Sequence, residues 1–380
     1  LASNNAAIQT EISEAGGIAP LLALLNGLDV DVQVQAAAAL REMARDNVET
    51  QNAIAKSGGI GPLLALLTSS GKGSTAAQSN GMAALAQLAR NNRENQDAIA
   101  KQAGIKPLVQ LLESSDDDAE VLSSAACAVM EITSRNFANQ RTVVDNGGIS
   151  QLANILKSSS NLGVKAEVAG ALWALAEDPE IKVSIAGAST IMPLVELLGS
   201  SETRAQEHAN LALGSLGLNN TDNQVQITQM LIELLTNGTE AAQERAARAL
   251  WGLREANPNA HEAIARAGNP EKLVELLKHG IPDAKDYALW SLSLSISTDN
   301  QSTVAESGGV QPLIDQLGDA RTVNQEQAAA AIAKLAHDNE ETRAAVTKLA
   351  GVKPLIGLLE ASGSAASEVG AASEAGASSG

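Results

Sequence analysis

One phrase returns along the chain and limits what it can fold into. It reads AGGIAPLLALL at 15–25, SGGIGPLLALL at 57–67, QAGIKPLVQLL at 102–112 and NGGISQLANIL at 146–156. It recurs as ASTIMPLVELL at 188–198, SGGVQPLIDQL at 307–317 and LAGVKPLIGLL at 349–359, with weaker copies at 227–235 and 268–277. The mean step is about 42 residues, a period that belongs to helical solenoids or to β-propellers. A repeat of this kind cannot bury its apolar face alone, so neighbouring copies must stack into one continuous core.

Spacing and composition choose the helix. Each copy carries apolar residues at i, i+3 and i+4, followed by an Ala-, Gln- and Glu-rich segment such as DVQVQAAAALREMA at 31–44. Propeller blades need alternating β-branched and aromatic runs, and only 1% of the residues are aromatic. The 44% hydrophobic content is aliphatic and Ala-rich, which suits close helix–helix contact. The Gly-Gly before Ile18, Ile60 and Ile149 ends one helix, because glycine tolerates the left-handed cap. The proline two residues beyond the isoleucine, as in Pro20 and Pro62, falls in the first turn of the next helix, where its missing N–H costs little. Three helices per unit follow: a short one (95–102), a middle one (106–114) and a long one (119–134).

The unit NQxxIxxxGGIxPLLxLL…VQxQAAAALxxLA resembles the armadillo repeat, in nine phased copies over residues 1 to about 360. The Gly-Gly-Ile turn after a short first helix separates it from the two-helix HEAT unit. The resemblance implies an all-α, right-handed superhelical solenoid of about eight three-helix repeats, forming a single elongated domain over 1–360. It also implies that the third helices stack side by side and line a concave groove, with two positions one turn apart facing it. In the import adaptors of this family those positions are commonly Trp and Asn, which hold a basic peptide.

Here the first position reads Ala38, Ala83, Cys127, Trp173, Leu211, Trp251, Trp290 and Ala330. The second reads Glu42, Gln87, Glu131, Glu177, Ser215, Glu255, Leu294 and Lys334. With no Asn in the second position, the import-adaptor mechanism loses its amide ladder. All three tryptophans nevertheless occupy the first position. Glu177 and Glu255 follow Trp173 and Trp251 by four residues, so each pair shares a helical face. The expected groove residues are therefore Trp173, Glu177, Trp251, Glu255, Trp290, Glu131, Glu42 and Gln87, holding Lys or Arg through carboxylate and cation–π contacts. Helix spacing of about 8–10 Å against about 3.3 Å per extended residue gives room for an extended segment of roughly 10–20 residues.

Charge supports the sign of that partner. The net charge of −18 disfavours nucleic acid, which needs clustered cations, and favours a cationic protein segment at long range. No apolar run reaches the roughly 18 residues of a membrane-spanning helix, and the N-terminus lacks the pattern of a signal peptide. An intracellular setting, cytoplasmic or nuclear, is expected, with no direct membrane insertion.

Chemistry-bearing motifs are sparse. Cys127 is the single cysteine and reads as a small packing residue. His208, His261, His279 and His337 fall in separate repeats without metal-ligand spacing. The stretch SSGKGSTAA at 69–77 fails the phosphate-loop pattern and reads as a loop with Ser74 or Thr75 as N-cap. Asp116, Asp117 and Asp118 read as a helix start, where the macrodipole favours anions. Asn219, Asn237 and Asn300 open chance glycosylation triplets. No metal, cofactor or catalytic constellation is expected.

Three local features complete the reading. Leu1-Ala2-Ser3 matches the exit of a third helix, so the sequence is expected to start inside a repeat, without a polar cap there. The step of 37 residues between 193 and 230 leaves little room for a first helix at 219–226, and an irregularity is expected there. The Ser/Ala/Gly tail at 361–380 cannot offset its ordering entropy and is expected to be flexible.

The expected function is a non-catalytic scaffold that binds an extended, basic segment of a protein partner. The alternatives are a structural subunit of a larger complex held by convex or end surfaces, and the substrate arm of a ubiquitin ligase whose catalytic part lies upstream. A membrane-tethered scaffold would require an acylated terminus upstream.

Overall fold

The computed structural model describes residues 5–69, 71, 73–114, 118–256 and 260–360. The start at 1–3, Asp116 and Asp117, the tail at 361–380 and the side chain of His261 lie outside that description. The described residues form helices without a strand, and the chain divides into two compact units, Leu1–Leu218 and Asn219–Gly380.

In the first unit five helix triplets follow the phrase. The third helices are Val30–Ala44, Ser74–Ala89, Ala119–Thr133, Leu162–Leu175 and Thr203–Gly217, each packed against the next. The first helices start at a polar cap. Asn5, Asn47, Asn92 and Asn136 accept the N–H three residues on, and Asp178 does the same for Glu180 and Ile181. The turn into the second helix is left-handed at Gly16, Gly58 and Gly147, and Ala103 and Ser189 take that conformation at the equivalent positions. The following glycine is held by crowding. A Cβ on Gly148 would lie 2.4 Å from Val143 Cγ1.

Buried amides of the first helices tie the end of the preceding repeat's third helix, where Gln96 Nε2 donates to Ala89 and Gln140 Nε2 to Thr133, to the end of their own repeat's third helix. Four residues after each cap stands Gln9, Gln51, Gln96 or Gln140. Gln96 Nε2 donates to the Glu131 and Ser134 carbonyls (2.9 and 3.2 Å), at the end of the following third helix. Gln9 reaches Glu42 and Arg45, and Gln140 reaches Ala174, in the same way. Lys182 takes this place in the fifth repeat and donates to the Leu218 carbonyl at 2.8 Å. These donors meet carbonyls that a helix C-terminus leaves unpaired, so the amides both cap and cross-link.

The second unit opens differently. Thr221–Asn237 is one helix of 17 residues in place of a first and a second helix, which is the form the irregularity expected at the short step takes and corrects the count of three helices in that repeat. The short step leaves no glycine turn to break the helix. The third helices Glu240–Ala256, Pro282–Ser295 and Thr322–Ala336 pack in sequence, and helical residues run from 352 to 360. Gln301 repeats the amide bridge, donating to the Lys334 and His337 carbonyls.

One smaller correction concerns a helix start. Gly73, left-handed at φ 83°, is the N-cap of Ser74–Ala89, so neither Ser74 nor Thr75 caps that helix. No single described helix is long and apolar enough to cross a membrane.

Candidate functional site: the third-helix face

Within each unit the equivalent third-helix positions form a row that is mostly partly open; both neighbours are buried at Ala83, Cys127 and Trp173, whereas Asn210 beside Leu211 and Gly252 beside Trp251 are exposed. In the first unit Ala38, Ala83, Cys127 and Trp173 are half-buried and Leu211 is exposed. In the second, Trp251 is half-buried and Ala330 exposed, but Trp290 retains only 9% of its surface.

The carboxylates of the first unit are engaged within the chain. Glu42 binds Arg41 and Arg45 at 3.1 and 2.9 Å. Glu131 is buried beside Arg90, 3.3 Å away. Burial pushes its carboxyl above the usual range, and the Arg90 guanidinium draws it partly back. Glu177 accepts the Arg135 backbone N–H at 2.9 Å and the Gln140 amide at 3.1 Å. Gln87 is half-buried on the same face.

A further carboxylate, Glu167, was not singled out from the sequence. It is buried, raised in pKa chiefly by desolvation, and gripped by two nitrogens of Arg204 at 2.9 and 3.2 Å. It also accepts a hydrogen bond from Cys127. Burial, with Glu167 and Glu131 nearby, pushes the Cys127 thiol up to about 12, so the thiolate a nucleophile needs is not formed at neutral pH. His208 Nδ1 lies 2.7 Å from the Ala166 carbonyl, a packing contact between repeats. Among the described residues no group of His, Cys, Asp and Glu side chains is placed to hold a metal.

The second unit gathers aromatic side chains. The Trp251 and Trp290 ring centroids are 5.5 Å apart with planes tilted by 43°. Tyr287, fully buried, meets Trp251 edge-on at 5.7 Å and Trp290 at 5.9 Å. Over this cluster lies Arg254, its guanidinium carbon 4.8 Å from both indole centroids. The cation expected from a partner is thus supplied by the chain itself. Glu255, the next residue, is exposed, and Lys334 donates to the Leu294 carbonyl at 3.1 Å.

Comparison with known proteins agrees with the fold. The Armadillo/beta-catenin-like repeat model matches residues 4–45 and 297–337. An engineered protein of known structure is 32% identical, over 63% of this chain and 98% of its own, with a TM-score of 0.55. A designed armadillo repeat protein is similar at 23% identity, covering 62% of this chain and 98% of that one, with a TM-score of 0.53. A second designed armadillo protein, solved in complex with the peptide (KR)4, has 21% identity, the same coverage and a TM-score of 0.53. No curated protein matches. Repeats recognised near both ends of the array, a triplet architecture between them and the fold shared with designed armadillo proteins lead to one conclusion: the chain belongs to the armadillo-repeat family.

Proposed function

We propose that this chain is a non-catalytic scaffold that holds an extended segment of a protein partner across its third-helix face. The observation that carries this reading is the row of equivalent positions, from Ala38 to Trp173 in one unit and Trp251 to Ala330 in the other. Its members other than Trp290 are left partly open or exposed, and at Ala83, Cys127 and Trp173 both flanking residues are buried. Open, periodic positions on rigid helices are suited to reading an extended chain at repeated intervals. The designed armadillo protein solved with (KR)4 uses the same fold to hold a peptide.

The basic character of the partner rests on the net charge of −18, which attracts a cationic segment at long range. Close contact is a separate matter, since Glu42, Glu131 and Glu177 already serve internal donors. The test is selection of random 15-residue peptides on the protein, followed by affinity measurements on variants. Ala83→Arg and Ala330→Arg obstruct the row in each unit, and Phe137→Asp alters an exposed residue of a first helix. Selected peptides should lose at least tenfold in affinity on one or both obstructed variants and keep it with Phe137→Asp. Peptides indifferent to both obstructions would reject the third-helix face.

A further inference from the structure

We infer that the Trp251–Trp290 platform is a carboxylate-recognition site: its stacked Arg254 receives an Asp or Glu side chain of the partner segment. This rests on the third-helix face being the binding surface and assigns the chemistry at one place on it. Three observations lead there. The guanidinium lies 4.8 Å from both indole centroids, so two aromatic faces hold it. Trp290 is buried and Trp251 packs on the fully buried Tyr287, so the platform under the guanidinium is rigid. Among the described residues, Arg254 is exposed and has neither a hydrogen bond nor an ion pair, whereas Arg41, Arg45, Arg90, Arg141, Arg204 and Arg321 all have carboxylate partners.

The chemistry follows from the shape of the group. A guanidinium uses its face for aromatic rings and its edge for hydrogen bonds, with five N–H donors fixed in the plane. Stacking leaves those donors free and removes much of the rotational freedom that binding would otherwise cost. A planar carboxylate is the acceptor that takes two parallel N–H bonds from such an edge. Arg248, exposed and one turn before Trp251, adds a second positive charge on the same helix. A partner Lys or Arg would instead have to displace Arg254 from the rings and overcome its charge. The expected platform for a cation is therefore inverted in sign.

The test uses the whole chain and three labelled peptides of 12 residues, identical except for one central position carrying Glu, Gln or Lys. Fluorescence anisotropy gives the affinities, and quenching of indole emission reports contact with the platform. The Glu peptide should bind at least tenfold more tightly than the Gln peptide. Arg254→Gln should erase that difference, and Arg254→Lys, which keeps the charge but not the planar fork, should recover only a small part of it. Equal binding of the Glu and Gln peptides, or none by any of the three, would overturn the inference. So would a Lys peptide that binds the unaltered protein more tightly than the Glu peptide does. The two readings fail separately: peptides sensitive to Ala83→Arg or Ala330→Arg but indifferent to Arg254 would leave the scaffold standing and remove this site.

Discussion

The Glu177 carboxylate accepts the backbone N–H of Arg135 at 2.9 Å, across 42 residues of sequence. Arg135 is left-handed (φ 54°) just beyond the third helix Ala119–Thr133. A side chain expected to face a partner thus secures the exit of the preceding repeat. Glu177→Ala should lower stability by about 0.5–1.5 kcal/mol, because it removes the acceptor of this N–H and one of the three acceptors of Gln140 Nε2. Urea unfolding followed by circular dichroism measures it. An unchanged midpoint would show that water replaces the carboxylate.

The bridging glutamines make a sharper prediction. Gln96→Leu removes the Nε2 donor from the Glu131 and Ser134 carbonyls in a buried setting and should cost about 1–3 kcal/mol. Gln311→Ala, at an exposed position bonded only to its neighbour Asp315, should stay within about 0.5 kcal/mol. Hydrogen exchange should place the loss from Gln96→Leu at the ends of third helices Ser74–Ala89 and Ala119–Thr133. Equal effects from the two variants would mean that the repeats are held by apolar packing alone.

Two glycines should respond in opposite directions to one added methyl group. At Gly148 the new Cβ meets Val143 Cγ1 at 2.4 Å and the Val143 carbonyl oxygen at 3.0 Å, so backbone must shift. Gly148→Ala should destabilise by about 1–3 kcal/mol. Gly214, within the helix Thr203–Gly217, has no atom within 4 Å of that point, and Gly214→Ala should stabilise by about 0.5–1 kcal/mol. Thermal melts of the two variants, read beside the unaltered protein, should move apart.

Glu131 and Glu167 should give stability an identifiable pH dependence. Both carboxyls are raised by burial, so the folded chain holds protons that the unfolded chain has released. Stability from these groups is therefore present at or below the unfolded carboxyl pKa of about 4.3 and is lost as pH rises through the higher folded-state values. Glu131→Gln with Glu167→Gln should remove that part of the slope, and the variant should gain on the unaltered protein as pH increases from 4 to 7. Urea midpoints at each pH supply the comparison. Parallel profiles would mean that Arg90 and Arg204 fully offset the burial of the two carboxylates.

How much was legible in the sequence depended on the distance over which each interaction acts. The period and the glycine turn before Ile18 follow from local pattern, because helical spacing and chain reversal are set within one repeat; the side-by-side third helices were implied by the resemblance to the armadillo repeat, and the asparagine caps went unread. The shortened step before 230 was also visible, although not that the first two helices would fuse into Thr221–Asn237. The amide bridges carried an unread signal, a glutamine four residues after each asparagine cap in Asn47/Gln51, Asn92/Gln96 and Asn136/Gln140.

By itself, then, the sequence determined a stack of helical repeats and which positions are equivalent from one to the next. Tertiary structure alone decided what each equivalent side chain touches. Glu177 turns to the preceding repeat's exit, Glu131 and Glu167 sink beside arginines, and Arg254 lies over indoles from two repeats. The physical reason is that these partners are joined by packing between repeats, where a charge leaves water only if a specific group from a neighbouring helix arrives to meet it. A repeat period shows that such groups lie near one another, but the donor that reaches a given acceptor is fixed by the rotation and offset of one helix against the next.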